Sequence, residues 1–150
     1  MRDVQGNLAN SYSALGRFEQ SLNITRDIYA QSSELYGRDN TSTLVSAVNL
    51  ACSLVEDLEQ FDEARAFLQD RIPEAIQALG KDADLALKLQ RMYAQCLYEN
   101  DGASREDVTA AIATLEDIDR RQTRIYGAAH PQTVCTRYHS ERAVLALAHK

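Results

Sequence analysis

The sequence predicts an all-α fold of about seven helices arranged as stacked antiparallel pairs. Three observations predict it. First, Asn7-Leu8-Ala9-Asn10-Ser11-Tyr12, with Gly16-Arg17-Phe18 after it, returns 42 residues later as Asn49-Leu50-Ala51-Cys52-Ser53-Leu54, with Phe61-Asp62-Glu63-Ala64 after it. A worn third copy reads Met92-Tyr93-Ala94-Gln95-Cys96-Leu97 and then Val108-Thr109-Ala110-Ala111. Second, Leu35-Tyr36-Gly37, Ala78-Leu79-Gly80 and Ile125-Tyr126-Gly127 close successive copies, their glycines 43 and 47 residues apart. Self-similarity at a period of this size marks a repeat array. Third, the chain is 45% hydrophobic with only two prolines, six glycines and no Trp, which supports a continuous helical core and argues against disorder or an all-β fold.

Each element follows from local chemistry. The first helix, roughly Asp3 to Leu15, places Val4, Leu8, Ser11, Tyr12 and Leu15 on one face. Gly16 suits the left-handed turn that ends it. Phe18 opens a longer second helix carrying Leu22, Ile24, Ile28, Leu35 and Tyr36, stopped by Gly37. Asp39 or Asn40 caps the third helix, which starts near Thr41 and carries Leu44, Val48, Leu50, Ala51, Leu54 and Leu58. Phe61 opens the fourth, through Ala64, Phe67, Leu68 and Ile72 to Gly80; Pro73 inside it predicts a kink. Asp82 caps the fifth, with Leu85, Leu87, Leu89, Tyr93, Ala94 and Leu97. Ser104-Arg105-Glu106-Asp107 has the form of a capping box and starts the sixth, whose buried face is Val108, Ile112, Leu115, Ile118 and Ile125. His130 precedes Pro131, a proline at a favourable first-turn position, and the last helix runs to about Ala148.

The repeats therefore span about residues 3–39, 40–82 and 83–129, with a terminal helix at 131–148, all in one domain. That last helix is the first of a fourth pair, so the chain reads as part of a longer array. Ala9, Ala51 and Ala94 share one position and Ser21, Ala64 and Ala111 another, small residues that let paired helices approach closely.

Composition also excludes function classes. A net charge of −6 argues against an indiscriminate nucleic-acid binder. Cys52, Cys96 and Cys135 are odd in number and widely spaced, which suggests neither a disulfide framework nor a zinc site and suits a cytoplasmic protein. The first residues carry no apolar segment, and the longest apolar run, Ala143 to Ala148, is too short to span a bilayer, so no membrane is expected. His130, His139 and His149 are too far apart for one helical face to bring two to a metal, and the glycines mark turns rather than a phosphate loop. No catalytic residue, cofactor or metal is expected.

The repeated motif resembles the tetratricopeptide repeat, in the 42-residue form found in kinesin light chains. That pattern reads Asn-Leu-Ala-x-x-Tyr, Gly-x-Tyr/Phe-x-x-Ala, then Leu-Gly-x-x-His-Pro-x-Thr. It is matched by Asn7-Leu8-Ala9 with Tyr12, Gly16 with Phe18, and Tyr126-Gly127-Ala128-Ala129-His130-Pro131-Gln132-Thr133. The second copy departs by one extra residue before Phe61, the third by Met92 in place of Asn, and the last helix by Glu141 in place of Ala.

The resemblance implies a right-handed superhelical solenoid whose first helices line a concave groove, and a function as a protein-interaction scaffold. Carried over position by position, it puts Asn7, Asn10, Val48, Asn49, Cys52, Lys88, Arg91, Gln95, Tyr138, His139 and Arg142 on the groove side. In similar proteins asparagines at the Asn7 and Asn49 position bind the backbone of an extended peptide, and an amide can both donate and accept. Lys88, Arg91 and Arg142 add positive charge, while the second helices are acidic, so an acidic peptide is the expected ligand. A lysine-rich clamp for a C-terminal carboxylate, another mode in this superfamily, is incomplete here. The alternative is a structural or self-association segment of a larger protein, with a homodimer formed through Val144, Leu145 and Leu147 of the terminal helix.

Overall fold

A computed structural model describes residues 2–150, with side-chain surroundings from Gln5 onward. Among the described residues there are seven α-helices and no strand. They are α1 (Arg2–Ala14), α2 (Phe18–Tyr36), α3 (Thr41–Cys52), α4 (Phe61–Leu79), α5 (Asp84–Glu99), α6 (Arg105–Tyr126) and α7 (Pro131–Ala148). The chain divides into two compact units, Met1–Leu89 and Gln90–Lys150, with the boundary inside α5.

The helix ends follow the expected chemistry. Gly16, Gly37, Gly80 and Gly127 all take positive φ, from 76° to 96°, where a Cβ would be strained. The Asn40 side chain accepts from the Ser42 N–H at 2.9 Å, and His130 Nδ1 accepts from the Gln132 N–H at 3.2 Å. Ser104 Oγ accepts from the Asp107 N–H at 3.0 Å while the Asp107 carboxylate accepts from the Ser104 N–H at 3.3 Å, completing the capping box. The start of α5 differs from expectation. Ala83, not Asp82, stands immediately before the helix, and its carbonyl accepts the first helical bond from the Leu87 N–H at 2.9 Å. α4 runs through Pro73 to Leu79, with the proline exposed.

The extra residue of the second copy is absorbed in one place. After Cys52 the helix widens into a π-helical turn, Ser53–Asp57, closed by the Leu58 N–H on the Ser53 carbonyl at 3.2 Å. The turn that follows puts Glu59 at φ 50°, where the first copy has Gly16. Glu59→Gly is expected to raise stability by about 0.5–1 kcal/mol, because relief of left-handed strain outweighs the added chain entropy of glycine. Chemical denaturation of the two proteins checks this, and a lowered midpoint would contradict it.

In the first unit α1 packs on α2, α2 on α3, and α3 with its π turn on α4. Its buried apolar residues include Ala9, Leu22, Leu44, Leu50, Ala64 and Leu68. Arg71, only 6% exposed, holds α4 to α2. It donates to the Tyr29 hydroxyl, and its guanidinium lies 6.0 Å from the Tyr29 ring centroid and 5.5 Å from that of Phe67. In the second unit α6 packs on α7, and Ala94, Leu97, Val108, Ala111, Leu115 and Ala143 form one core. Thr136 donates to the buried Gln122 amide at 2.6 Å, and Arg137 donates to Asp119 at 2.9 Å, so polar bonds also join α6 to α7.

Several expected core positions are exposed: Leu8, Leu15, Leu35, Tyr36 and Ile125. Val4 lies outside the described side chains. The buried stripes are instead built on small residues, Ala9 in α1 and Ser21, Thr25 and Ser32 in α2. Close approach of paired helices favours small side chains at the seam and leaves the larger apolar ones at its margins.

Candidate functional site

The residues expected to face a groove gather in two places, one in each unit. In the first unit α1, α2 and α3 line an open cavity of about 250 Å³. Asn10 and Asn49 line it, as does Cys52; Asn7 is exposed but does not line it. Ser13 and Asp57 also line it, and neither was expected from the sequence. The Ser13 hydroxyl donates to Asp57 at 3.4 Å. Burial pushes the Asp57 carboxyl above its usual value, helped by the neighbouring Glu56 charge and opposed by the Ser13 hydrogen bond. Cys52 donates its thiol proton to Glu56 at 3.3 Å. Lys88, also in the first unit, is ion-paired with Asp84 at 3.2 Å.

In the second unit Arg91, Gln95, Tyr138, His139 and Arg142 come together on α5 and α7 around two residues that were not expected, Tyr98 and Glu99. The Tyr98 hydroxyl lies 2.6 Å from His139 Nδ1 and 3.1 Å from the Glu99 carboxylate. Gln95 donates to Glu99 at 3.2 Å. Tyrosine has one proton, and giving it to His139 would turn oxygen lone pairs on the Glu99 carboxylate. The Tyr98 proton therefore goes to Glu99, and His139 donates Nδ1–H to the Tyr98 oxygen. His139 is 6% exposed, and its pKa falls to about 4, first through burial and then through the Arg91 and Arg142 charges. Burial, with the Glu99 charge second, drives the Tyr98 hydroxyl far above the usual tyrosine range. Arg91 donates to the Cys135 sulfur. Arg142 is exposed, donates to the Tyr138 hydroxyl at 2.8 Å and lies 5.5 Å from that ring's centroid.

The repeat explains why one place is hollow and the other filled. Asn49, Met92 and His139 are each the ninth residue of their helix. Asn49 is exposed; Met92 and His139 are buried. Four residues after the shared alanine, α1 has Ser13 and α5 has Tyr98; four residues after the shared small residue, α2 has Thr25 and α6 has Leu115. The second unit thus places Tyr98, Leu115 and His139 where the first places Ser13, Thr25 and Asn49. Comparing the repeats at these positions was the signal that could have found Ser13 and Tyr98.

Among the described residues no group of three or more His, Cys, Asp or Glu side chains is placed to hold a metal ion, and no helix is long and apolar enough to cross a membrane. None of the three cysteines is in a disulfide. This geometry is that of packed polar faces on helix pairs.

The tetratricopeptide repeat family model matches residues 1–73. Two solved structures share the fold across nearly the whole chain. One is of the nearly identical TPR-like repeats of a kinesin light chain-like protein of Podosopora anserina, with TM-score 0.81; the other is a single-substitution form of it, with TM-score 0.82. Each is 21% identical and covers 96% of this chain, which spans 65% of the solved chain. No curated protein matches this chain. The chain thus has the all-α, TPR-like solenoid fold class expected from its repeats. Tetratricopeptide repeats in general mediate protein–protein interaction and are typically non-enzymatic scaffolds.

Proposed function

We propose that this chain is a protein-interaction scaffold that binds a peptide segment through the polar faces of its first helices. The observation that carries this is the gathering of the groove-side residues: Asn10 and Asn49 around one cavity, and Arg91, Gln95, Tyr138, His139 and Arg142 in one cluster. Exposed Arg142, already oriented by Tyr138, offers a planar fork to a ligand carboxylate, so acidic residues of the peptide engage the second unit. Asn7 and Lys88 extend the same proposed site. The chain works without catalysis, in the cytoplasm, as one repeat domain.

Selection from a random peptide display library tests this. The wild-type chain should enrich peptides with acidic residues, and an Asn49→Ala/Arg142→Glu variant of unchanged helicity should lose them by at least about tenfold, the worth of one or two charge-assisted hydrogen bonds. Enrichment unchanged in the variant would overturn the proposed site. The second reading, a structural or self-association segment, is favoured by α7, where Val134, Tyr138, Val144 and Leu145 are each more than half exposed. Leu147, expected on that surface, instead packs against the core of the second unit. A chain that enriches no peptide and sediments as a dimer would support that reading.

A further inference from the structure

We propose that the cavity of the first unit is a subsite for a cationic side chain, Lys or Arg, of the bound peptide. This rests on the peptide-binding reading above and gives the two units opposite charge preferences.

The hollow is written into the sequence. At the positions where the second unit inserts Tyr98, Leu115 and His139 into its interior, the first unit has Ser13, Thr25 and Asn49, and about 250 Å³ stays open. Its lining is mixed: the side chains of Asn10, Ser13, Thr25, Asn49 and Asp57 bring hydroxyls, amides and a carboxylate to it, beside the apolar Ala9 and Ile28.

Three of its five lining hydroxyls face an occupant as acceptors. Thr25 gives its hydroxyl proton to the Ser21 carbonyl at 2.8 Å, Ser46 gives its own to the Ser42 carbonyl at 3.1 Å, and Ser13 gives its own to Asp57. Three hydroxyls therefore keep only lone pairs for an occupant. The Asn10 and Asn49 amide oxygens can join them by rotation of the amide. The charge there is negative: Asp57 lines the cavity and Glu56 adjoins it, and among the described residues no Lys or Arg lines it. Ser13 lies in the last turn of α1 and Asp57 in the last residue of the π turn, and neither last turn carries a basic residue, so the negative ends of two helices add to the field.

Acceptors, a carboxylate and two helix C-termini suit an ammonium or guanidinium carried on an alkyl stem, and the half-buried Ile28 on the wall gives that stem an apolar contact. The raised pKa of Asp57 agrees, since burial of the carboxylate is its largest cause. An arriving cation stabilises the ionised form, so binding pulls the Asp57 pKa down and weakens as pH falls through it.

The test uses n-butylammonium and n-butylguanidinium, with butyrate as the control, added to the whole 15N-labelled chain. Expected are saturable amide shifts at Asn10, Ser13, Asn49 and Ser53 with either cation and none with butyrate. Asp57→Asn, which keeps the size of the side chain and an acceptor for Ser13, should weaken the cations at least tenfold. A lower Asp57 pKa, followed by its carboxyl carbon signal, should accompany saturation. Butyrate binding as well as the cations, or cations unaffected by Asp57→Asn, would overturn the proposal, as would the absence of saturable shifts. The larger response to one cation tells Lys from Arg. Fragments do not depend on the peptide selection. Cations that fail while peptides are enriched sink the subsite alone; cations that bind while no peptide is enriched sink the peptide reading alone.

Discussion

Acidification from pH 7 to pH 4 is expected to cost the second unit about 2 kcal/mol through His139 alone. The group titrates near 6.5 in the unfolded chain and near 4 in the folded one, because burial and the Arg91 and Arg142 guanidiniums disfavour its charged form. Between those values the unfolded chain binds more protons, so stability rises with pH there: it is complete above 6.5 and lost as pH falls toward 4. The full shift would correspond to about 3 kcal/mol, and screening of the partly solvated guanidiniums reduces it. His139→Leu removes the titrating group and leaves the Tyr98 proton on Glu99. Denaturation midpoints from pH 7 to pH 4 should therefore slope less in His139→Leu than in the wild type. Parallel profiles would show that His139 is not held neutral by its surroundings. Asp57 acts in the opposite sense, since its raised folded pKa adds stability as pH falls.

Leu115→Ala is expected to have the largest effect of any single truncation in the second unit, about 2–5 kcal/mol. Leu115 is fully buried in the core formed with Ala94, Leu97, Val108 and Ala143. Alanines already occupy several of its neighbouring positions, so little can collapse into the space left behind. Ile125 lies on the same α6 and was expected on the same buried face, but it is 44% exposed. Ile125→Ala should cost about 1 kcal/mol or less. Paired urea denaturation curves read both, and equal losses would contradict the burial of α6 described above.

The array was legible in the sequence because its signals are local and repeated. Glycine stops at Gly37, Gly80 and Gly127, the Asn40 and His130 caps and the Ser104–Asp107 capping box each need only a few neighbouring residues. Burial was less legible. Apolar spacing marks a stripe but not how close the neighbouring helix comes, so Leu8, Leu15, Leu35 and Ile125 were expected inside where Ala9, Ser21, Thr25 and Ser32 are found. The cavity was less legible. The repeat register names residues for the groove positions, but Asp57 lines the cavity from within the π turn, and a single inserted residue does not reveal where the helix will absorb it. Tyr98 gives no site signal in the sequence, because an aromatic residue at helical spacing reads as core, which Tyr98 also is.

The most direct test of the central claim is an amide chemical-shift map of the chain titrated with its most enriched display peptide. Peptide binding through the first helices predicts saturable shifts concentrated on α1, α3, α5 and α7, led by Asn10, Asn49, Tyr138, His139 and Arg142. Shifts concentrated on the outer residues of α2, α4 and α6, with those five unchanged, would contradict it.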